Sequence, residues 1–234
     1  MQGVMTTEQM LEKLPGAFQA AAKKINADKR EQEWLKKRMG RITGSEVYRL
    51  FTKKLAIANN ETSKMLINQK VAELFGARMP QKYSKAIQWG NEHEVEAVLA
   101  YMKKTGAVVT DYGEDQKFIE YGEYGGCTND GIVEPLGIIE VKCPYVPANH
   151  INYMLNENQE QFKANHVNHY CQVQNNMLVT GKKWCDFISY HPEFNDDQKL
   201  FILRIERDAA FIADLVQALE DSSQKINEYF SKLR

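Results

Sequence analysis

Two strand-like runs joined by a short turn constrain the fold of this chain more than any other feature of its sequence. They lie in the segment CTNDGIVEPLGIIEVKCPY, on either side of residues 135–136. The β-branched residues favour strands, and the proline favours a turn. With a turn of two residues, the sequence predicts a β-hairpin in which Val133 faces Ile138 and Gly131 faces Glu140.

Charged residues interrupt this otherwise apolar hairpin. Side chains alternate along a strand, so Glu140 and Lys142 share one face. Asp130 precedes the first run and falls opposite the peptide that joins Glu140 and Val141. Two carboxylates and one ammonium are costly inside an apolar sheet unless they have a compensating role. The hairpin therefore indicates a functional site, and its alternative is a surface hairpin with a Glu–Lys pair, because Asp followed by Glu-x-Lys is common by chance.

A divalent metal supplies such a role, because Mg²⁺ prefers hard oxygen ligands. Asp130 and Glu140 are the candidate ligands, and the Val141 carbonyl oxygen is a further one. Glu94 lies on a predicted helix, beside its apolar stripe, and can complete the metal shell from there. A bound metal lowers the pKa of a water ligand and neutralises charge on a phosphodiester. Lys142 would hold that water, so the residues alone predict metal-assisted phosphodiester hydrolysis.

The periodicity of apolar residues changes near the middle of the chain. Helices are predicted over 7–39, 63–75, 91–105, 165–179 and 208–233, and strands in AVVTDYG, KFIEY, GIVEP, GIIEVKC, CDFISY and LFILRIE. The helix that starts near residue 91 carries one apolar stripe, formed by Val95, Val98, Leu99 and Met102. The economical architecture is an α/β fold with one central mixed β-sheet flanked by helices, in a single domain over residues 1–234.

Basic residues are concentrated in the first quarter of a chain whose formal net charge is -1. Between Lys23 and Lys54 there are eleven Lys or Arg and four Asp or Glu. This segment could face phosphates, and the alternative is a solvated helix face. Within it, Ser45 is placed as the N-cap of a new helix, and exposed amide groups at such a helix start suit a phosphate.

The sequence also bears on the compartment of the protein. No apolar run reaches the roughly 18 residues that a membrane span needs, and the first residues lack the basic-then-apolar layout of a secretory signal. We therefore expect a cytoplasmic protein. The four cysteines form no Cys-x-x-Cys pair, which favours reduced, buried thiols over zinc or disulfides.

Four ordered blocks resemble the phage lambda exonuclease and YqaJ-type viral recombinase family, within the PD-(D/E)xK nuclease superfamily. They are WLKKRMGRITGSEV, AIQWGNEHE, the TNDG and IEVKCP hairpin, and HYCQVQNNMLVTGKKWCDFISYHP. Together they cover most of the domain in order, which is far more specific than the hairpin alone. The resemblance implies a restriction-endonuclease-like core. Asn129 stands where the superfamily has proline, but a metal needs only the carboxylate of Asp130.

The resemblance also implies roles for individual residues. In the family, the hairpin Asp and Glu hold the catalytic metals, and the Lys assists the nucleophilic water. These positions correspond to Asp130, Glu140 and Lys142, so the roles inferred from the residues alone stay the same. The glutamate of the tryptophan-glycine block corresponds to Glu94 and looks like an additional metal-shell residue.

DNA-binding residues are implied in the same way. The family has a pocket for a 5'-terminal phosphate, built from an arginine and a serine that look like Arg38 and Ser45. Thr128 stands where the family often has serine. An arginine suits a terminal phosphate because it can donate two parallel hydrogen bonds. The glutamines of the QVQ block map to Gln172 and Gln174, of which Gln174 is the better candidate for the active site.

Members of this family digest one strand of linear duplex DNA from the 5' end and leave a 3' single-stranded tail. The resemblance therefore implies a 5'-to-3' exonuclease that starts at a 5'-phosphorylated end and uses two Mg²⁺ ions, with Mn²⁺ as a substitute. It also implies a ring-shaped homotrimer, a phage single-strand annealing protein as recombination partner, and the bacterial host cytoplasm for a phage-encoded protein. The alternatives are a restriction-type or repair-type endonuclease of the same fold and a DNA-binding protein without catalysis.

Overall fold

The computed structural model describes residues 29–30, 32–77 and 84–234. The chain divides into two compact units, Met1–Met39 and Gly40–Arg234. The second unit contains the predicted hairpin and every strand of the described residues. The organisation of residues 1–234 as one domain stays a prediction.

The long helix predicted at the N-terminus falls mainly on residues 1–28, which lie outside the described residues. Residues 32–38, at the end of the predicted helix, are helical. Within this segment the guanidinium carbon of Arg38 lies 4.1 Å from the centroid of the Trp34 ring. The two residues are about one helical turn apart, so the contact is a local cation–π pair.

Seven strands in the described residues form two sheets. The first contains β1 (Ile42–Thr43), β2 (Phe118–Tyr121) and β3 (Gly125–Thr128), and the second contains β4 (Gly131–Val133), β5 (Gly137–Lys142), β6 (Trp184–Tyr190) and β7 (Leu200–Glu206). In the first sheet β3 is central, parallel to β1 and antiparallel to β2. In the second, β5 and β6 are parallel and the outer pairs are antiparallel. The mixed α/β class is confirmed, whereas the prediction of one sheet is wrong.

The sequence prediction lacked strand β3, which is the central strand of the first sheet. Its sequence, GGCT, lacks the alternating apolar residues that mark a strand, so it was not predicted. Glycine is required here because a Cβ on Gly126 would lie 2.3 Å from the ring of Phe118 on the neighbouring strand. The strand predicted in AVVTDYG is wrong, because Thr110 makes only an isolated bridge to Ile132.

Six α-helices lie in the part of the chain from residue 61 onwards that the structure describes. They are α1 (Glu61–Leu74), α2 (Lys85–Thr105), α3 (Pro147–Met154), α4 (Gln159–Asn165), α5 (Val167–Thr180) and α6 (Ala209–Leu233). The sequence predicted α1, α2, α5 and α6 and missed the two shortest. None of the helices in the described ranges is long and apolar enough to cross a membrane.

Helix α2 differs from its prediction in two respects. It begins six residues before Asn91, because the Ser84 hydroxyl caps it by accepting a hydrogen bond from the Ile87 amide at 3.2 Å. The predicted apolar stripe is also wrong in part, since Val95 and Leu99 are 42% and 51% exposed. The side that α2 buries is formed by Ala97, Val98 and Tyr101.

The second sheet is covered on both faces by separate apolar clusters. On one face Ile138 and Phe187 belong to a cluster that includes residues of α5 and α6. On the other face Ile139 and Val141 belong to a cluster with residues of α2. Glu140 has the strand parity of Ile138, so its side chain projects towards the face that carries α5.

The hairpin forms, but its register differs by one residue from the prediction. Val133 pairs with Gly137, and Gly131 pairs with Ile139, so the turn contains three residues instead of two. A Cβ on Gly137 would lie 2.1 Å from the ring of Trp184 on β6. This close approach reserves the first position of β5 for glycine, and it depends on a strand that is distant in sequence.

Asp208 caps α6 and joins it to two other helices. Its carboxylate accepts hydrogen bonds from the Phe211 amide at 3.0 Å, the Lys163 ammonium at 2.9 Å and the Tyr170 hydroxyl at 2.7 Å. Burial alone would raise the pKa of Asp208, but these partners lower it to about 2. Ionised Asp208 therefore stabilises the fold above the ordinary pKa of 3.8, and this contribution is lost as the pH falls towards 2.

We predict that Asp208→Ala lowers the free energy of unfolding by about 1–2 kcal/mol at pH 7, because α6 loses its cap. Asp208→Asn should cost less, since asparagine also caps helices and loses only the charge. Urea unfolding of both variants measures the difference, with Asp214→Ala, an exposed position on α6, as control. Equal losses for the Ala and Asn variants would show that capping contributes nothing.

Candidate active site

The hairpin brings together the three residues singled out from the sequence. Asp130 directly precedes β4, and its Oδ2 accepts a hydrogen bond from the Val141 amide at 2.7 Å. Glu140 is 1% exposed, and its Oε1 accepts a hydrogen bond from the Lys142 ammonium. Two carboxylates and one ammonium thus meet at the end of β5, as the alternation of side chains predicts.

Glu94 approaches the same group from α2. Its Oε1 accepts a hydrogen bond from the Gln116 amide at 2.6 Å. Burial, followed by the charge of Asp130, raises the pKa of Glu94 to about 7, against opposing effects of Lys142 and Gln116. Helix α2 therefore contributes a third carboxylate, and the pKa of this carboxylate depends on the charges of Asp130 and Lys142 in the hairpin.

The three carboxylates oppose one another's ionisation. Burial and then the charge of Asp130 raise the pKa of Glu140 to about 8, although Lys142 acts in the opposite direction. Burial also raises the pKa of Asp130. Burial alone would lower the pKa of Lys142, but Glu140 and Asp130 raise it, so the ammonium stays charged. One lysine does not fully compensate this concentration of negative charge.

The donor set fits a divalent cation. Carboxylate oxygens are the ligands that Mg²⁺ and Mn²⁺ prefer, and a cation would relieve the repulsion that raises these pKa values. Among the described residues, no three His, Cys, Asp or Glu side chains already stand together as a metal-binding group. Each carboxylate accepts a hydrogen bond from a donor of the protein: Val141 for Asp130, Lys142 for Glu140 and Gln116 for Glu94.

Sequence reasoning missed Asn176, which is 0% exposed. Its Nδ2 donates a hydrogen bond to Glu140 Oε2 at 3.2 Å, so both oxygens of Glu140 are held by protein groups. The sequence carries a weak signal for it, because Asn176 lies one helical turn beyond Gln172 and shares its side of α5. Only the packing of α5 on the second sheet shows that this side meets Glu140.

The two glutamines of the QVQ block have different surroundings. Gln174 is 0% exposed; its Nε2 donates to the Glu206 carbonyl at 2.8 Å, and its Oε1 accepts from the Asp208 amide at 2.9 Å. Gln174 thus holds the β7–α6 turn, and the preference for Gln174 over Gln172 as a site residue stays a prediction. Gln172 is half-buried and hydrogen-bonds to His169.

A cleft of about 220 Å³ opens beside Lys142. Its other walls come from α2, α3 and the segment after β5, and they are formed by Ala86, Cys143, Pro144, Tyr145, Val146, Asn149 and Tyr153. The Tyr153 hydroxyl and His169 Nε2 are hydrogen-bonded at 2.9 Å. Burial and the charge of Lys142 lower the pKa of His169 to about 3, so this imidazole is neutral at physiological pH.

The residues proposed to bind the 5'-phosphate lie on three segments of the chain. Ser45 is exposed, but it is not an N-cap: the 3₁₀ helix Val47–Leu50 follows Glu46, which makes no side-chain cap. The Glu46 carboxylate instead accepts hydrogen bonds from the amide and hydroxyl of Thr43. Thr128 ends β3, two residues before the hairpin aspartate. Arg38 lies in the first unit.

A model of the YqaJ-like viral recombinase domain matches residues 33–183. The chain belongs to this family. The matched range includes the hairpin, α2 and α5, and therefore every side chain of the carboxylate group described above. A comparison with curated proteins found no match.

Solved structures resemble this YqaJ-like domain over most of its length. An alkaline exonuclease (LHK-Exo) from Laribacter hongkongensis is 29% identical, with a TM-score of 0.73 over 86% of this chain and 95% of that one. A structure of LHK-Exo in complex with dAMP is 28% identical, with the same TM-score and coverage. A phage-related exonuclease from Haemophilus somnus 129PT is 15% identical, with a TM-score of 0.67 over 83% of this chain and 96% of that one. This last likeness shows the shared fold alone.

The raised pKa of Glu94 predicts how the stability of this YqaJ-like domain changes with pH. Its folded pKa of about 7 lies above the ordinary value of 4.5. The contribution of Glu94 to stability is therefore fully present below about pH 4.5 and is lost as the pH rises through 7.

We predict that Glu94→Gln, in the presence of a chelator, raises the melting temperature at pH 8 by roughly 2–4 °C, which is about 1 kcal/mol in a protein of this size. The gain should shrink towards pH 5, where Glu94 of the parent is protonated. Thermal unfolding across this pH range measures it. Glu92→Gln, an exposed position on the same helix, serves as control, and a gain that did not vary with pH would contradict the prediction.

Proposed function

We propose that this chain is a metal-dependent exonuclease that digests one strand of linear duplex DNA from a 5'-phosphorylated end, in the 5'-to-3' direction. The observation that carries the proposal is the convergence of Asp130, Glu140, Glu94 and Lys142 at the end of β5. Membership of the YqaJ-like family and similarity to an alkaline exonuclease support it. The 3' single-stranded tail left by this reaction would serve recombination by strand annealing.

Asp130, Glu140, the Val141 carbonyl oxygen and Glu94 are the residues that would hold Mg²⁺, or Mn²⁺ in its place, in a site for two ions. Such ions lower the pKa of a bound water and neutralise charge on the scissile phosphate. Within the protein, the amide of Val141 fixes the Asp130 carboxylate at 2.7 Å. This hydrogen bond therefore holds the Asp130 carboxylate against β5 before DNA arrives.

Lys142 has a separate task. Its pKa is raised by Glu140 and Asp130 against the effect of burial, so it remains an ammonium with three N–H donors. One of these donates to Glu140, and the others can orient the attacking water and the phosphate oxygens. Lys142 also forms part of the cleft wall, where a substrate can reach it.

We predict that Lys142→Ala lowers the rate of DNA digestion by at least about 100-fold, which is the usual cost of losing one electrostatic contact to a transition state. The measurement is a time course on 5'-labelled linear duplex with Mg²⁺, in which the parent releases mononucleotides from the 5' end. Lys182→Ala serves as control. Lys182 also pairs with a glutamate of the hairpin, Glu134, but at the turn, which lies at the opposite end of β5 from Lys142.

The same assay separates the proposed exonuclease from the other readings. Cleavage of covalently closed circles as fast as linear duplex would identify an endonuclease of this fold. DNA binding without any digestion, with Mg²⁺ or Mn²⁺ present, would identify a DNA-binding protein without catalysis. Unchanged digestion by Lys142→Ala would remove Lys142 from the mechanism.

The 5'-phosphate preference is assigned to Arg38, Ser45 and Thr128, with the basic segment between Lys23 and Lys54 facing the DNA backbone. The exposed hydroxyl of Ser45 suits this role. We predict that Ser45→Ala reduces the preference for a 5'-phosphate over a 5'-hydroxyl end by roughly 10–100-fold, because one hydrogen bond to a charged group contributes about 1.5–3 kcal/mol. Ser231→Ala, an exposed position at the end of α6, should keep the preference of the parent. Identical ratios for the two variants would contradict the assignment.

The cleft beside Lys142 is proposed to hold the released nucleotide, a role supported by the crystal structure of LHK-Exo in complex with dAMP. Tyr145 is 46% exposed and lines this cleft, where a nucleobase could stack on its ring.

Base stacking on an aromatic side chain contributes about 1–3 kcal/mol. Tyr145→Ala should therefore weaken inhibition by dAMP by roughly 5–100-fold. Tyr229→Ala, on the exposed side of α6, is the control, and equal inhibition constants would exclude the stacking role.

The proposed assembly is a ring-shaped homotrimer that works with a phage single-strand annealing protein. A closed ring around DNA would allow many nucleotides to be removed in one encounter. Light scattering in solution would test the trimer, since a mass other than three times 26.9 kDa contradicts it.

A further inference from the structure

We propose that Asn176 is a positioning residue for Glu140 and that position 44 is glycine because Asn176 needs the space beside it. The proposal rests on the proposed function, since it assigns the contact to the metal-dependent nuclease centre. Neither residue belongs to the catalytic set inferred from the sequence.

The first observation is the way in which Glu140 is held. Lys142, on the same strand, donates to one carboxylate oxygen. Asn176, on α5, donates to the other oxygen at 3.2 Å. Because the two donors come from different elements, the carboxylate has one orientation relative to both the strand and the helix.

The second observation concerns the other end of the Asn176 amide. Its Oδ1 is buried and has no hydrogen-bond partner among the described residues, and it lies against the backbone of Gly44. A Cβ built on Gly44 would be only 2.4 Å from this oxygen. The Asn176 amide therefore fills the space between Gly44 and Glu140.

Glu140 would be ionised when it holds a metal, and its charge then fixes which end of the Asn176 amide points towards it. A flipped amide would place Oδ1 against a carboxylate oxygen, where two acceptors repel each other. The observed orientation gives the carboxylate its donor and leaves Oδ1 unsatisfied. The hydrogen bond to Glu140 thus fixes the orientation of the amide, although it leaves a buried acceptor unsatisfied, which is rare in folded proteins.

Asn175 shows that burial alone does not explain this arrangement. It is also 0% exposed, and it is the preceding residue of α5. Its Nδ2 donates to the Gly126 carbonyl of β3 at 3.4 Å, so it ties the helix to the first sheet. Asn175 thus matches Asn176 in residue type, element and burial, and its Oδ1 is likewise buried without a hydrogen-bond partner among the described residues. The two differ in that Asn175 donates to a backbone carbonyl and Asn176 to a carboxylate.

Hydrogen-bond partners of a metal-binding carboxylate hold it in the orientation that the metal needs. Removing such a partner typically weakens metal binding or activity by about 10–100-fold. Gly44 lies one residue before Ser45, the proposed phosphate residue. The contact between Gly44 and Asn176 therefore also sets where the loop that carries Ser45 lies relative to Glu140.

The first test compares Asn176→Ala with Asn175→Ala by calorimetric titration of Mn²⁺ in the absence of DNA. Asn176→Ala should raise the dissociation constant for Mn²⁺ by about 10-fold or more, and Asn175→Ala should leave it within about 2-fold of the parent. In DNA digestion, Asn176→Ala should lower kcat and leave KM for DNA ends unchanged. Melting temperatures of both variants establish that they are folded.

Two results of this titration would overturn the proposal. One is an Asn176→Ala variant that binds Mn²⁺ as the parent does. The other is an equal loss in both variants, which would indicate a general effect of damage to α5. A parent that binds Mn²⁺ in an Asn176-dependent way but digests no DNA would refute the proposed function and support the positioning role.

The second test uses Gly44→Ala, which leaves Asn176 in place but fills its space. The added Cβ should displace the amide and weaken Mn²⁺ binding as Asn176→Ala does. In the double variant, Gly44→Ala should have no further effect, because there is no longer an amide to displace. If the two substitutions instead weakened Mn²⁺ binding by independent factors that multiply in the double variant, the link between Gly44 and Asn176 would be overturned.

Discussion

The ion pair between Lys142 and Glu140 is the interaction on which the rest of the site depends. Glu140 is almost fully buried, and a buried charge that loses its partner is strongly destabilising. The pair therefore offsets part of the cost of burying this carboxylate in β5, where burial raises its pKa. Asp130 and Glu94 add further negative charge around it, and the result is a group of carboxylates with raised pKa values that suits a cation.

The parts of this site that follow from local geometry could be predicted from the sequence. Strand alternation places Glu140 and Lys142 on one face without knowledge of any other element. The register of the hairpin could not be predicted in the same way, because Gly137 is fitted against Trp184, about fifty residues away. The division into two sheets was missed for a related reason. The sequence of β3 has no strand pattern, and the strand is defined by its pairing with β1 and β2 and by the close approach of Gly126 to Phe118.

Helical periodicity has a similar limit. It places Gln172 and Gln174 on the same helix but does not say which side of α5 meets the sheet. The structure shows that Gln174 holds the β7–α6 turn and that Asn176 holds Glu140. A buried asparagine has no sequence signature that separates it from a surface one, so its contact with Glu140 depended on the packing of α5 against the second sheet. Ser45 was mistaken for a helix cap because its sequence context is that of a cap, whereas Glu46 bonds back to Thr43.

The two-sided burial of the second sheet has a practical consequence for engineering. The cluster on the α2 face and the cluster on the α5 face contact opposite sides of the same strands, and Glu140 lies on only one of them. Volume-conserving substitutions at Ile139 and Ile188 can therefore be used to tune heat resistance from the α2 face of the sheet. Such redesign would leave the hydrogen bonds of Asn176 and Lys142 to Glu140 in place. It would also have to keep the position of α2, because Glu94 reaches the same centre from that helix.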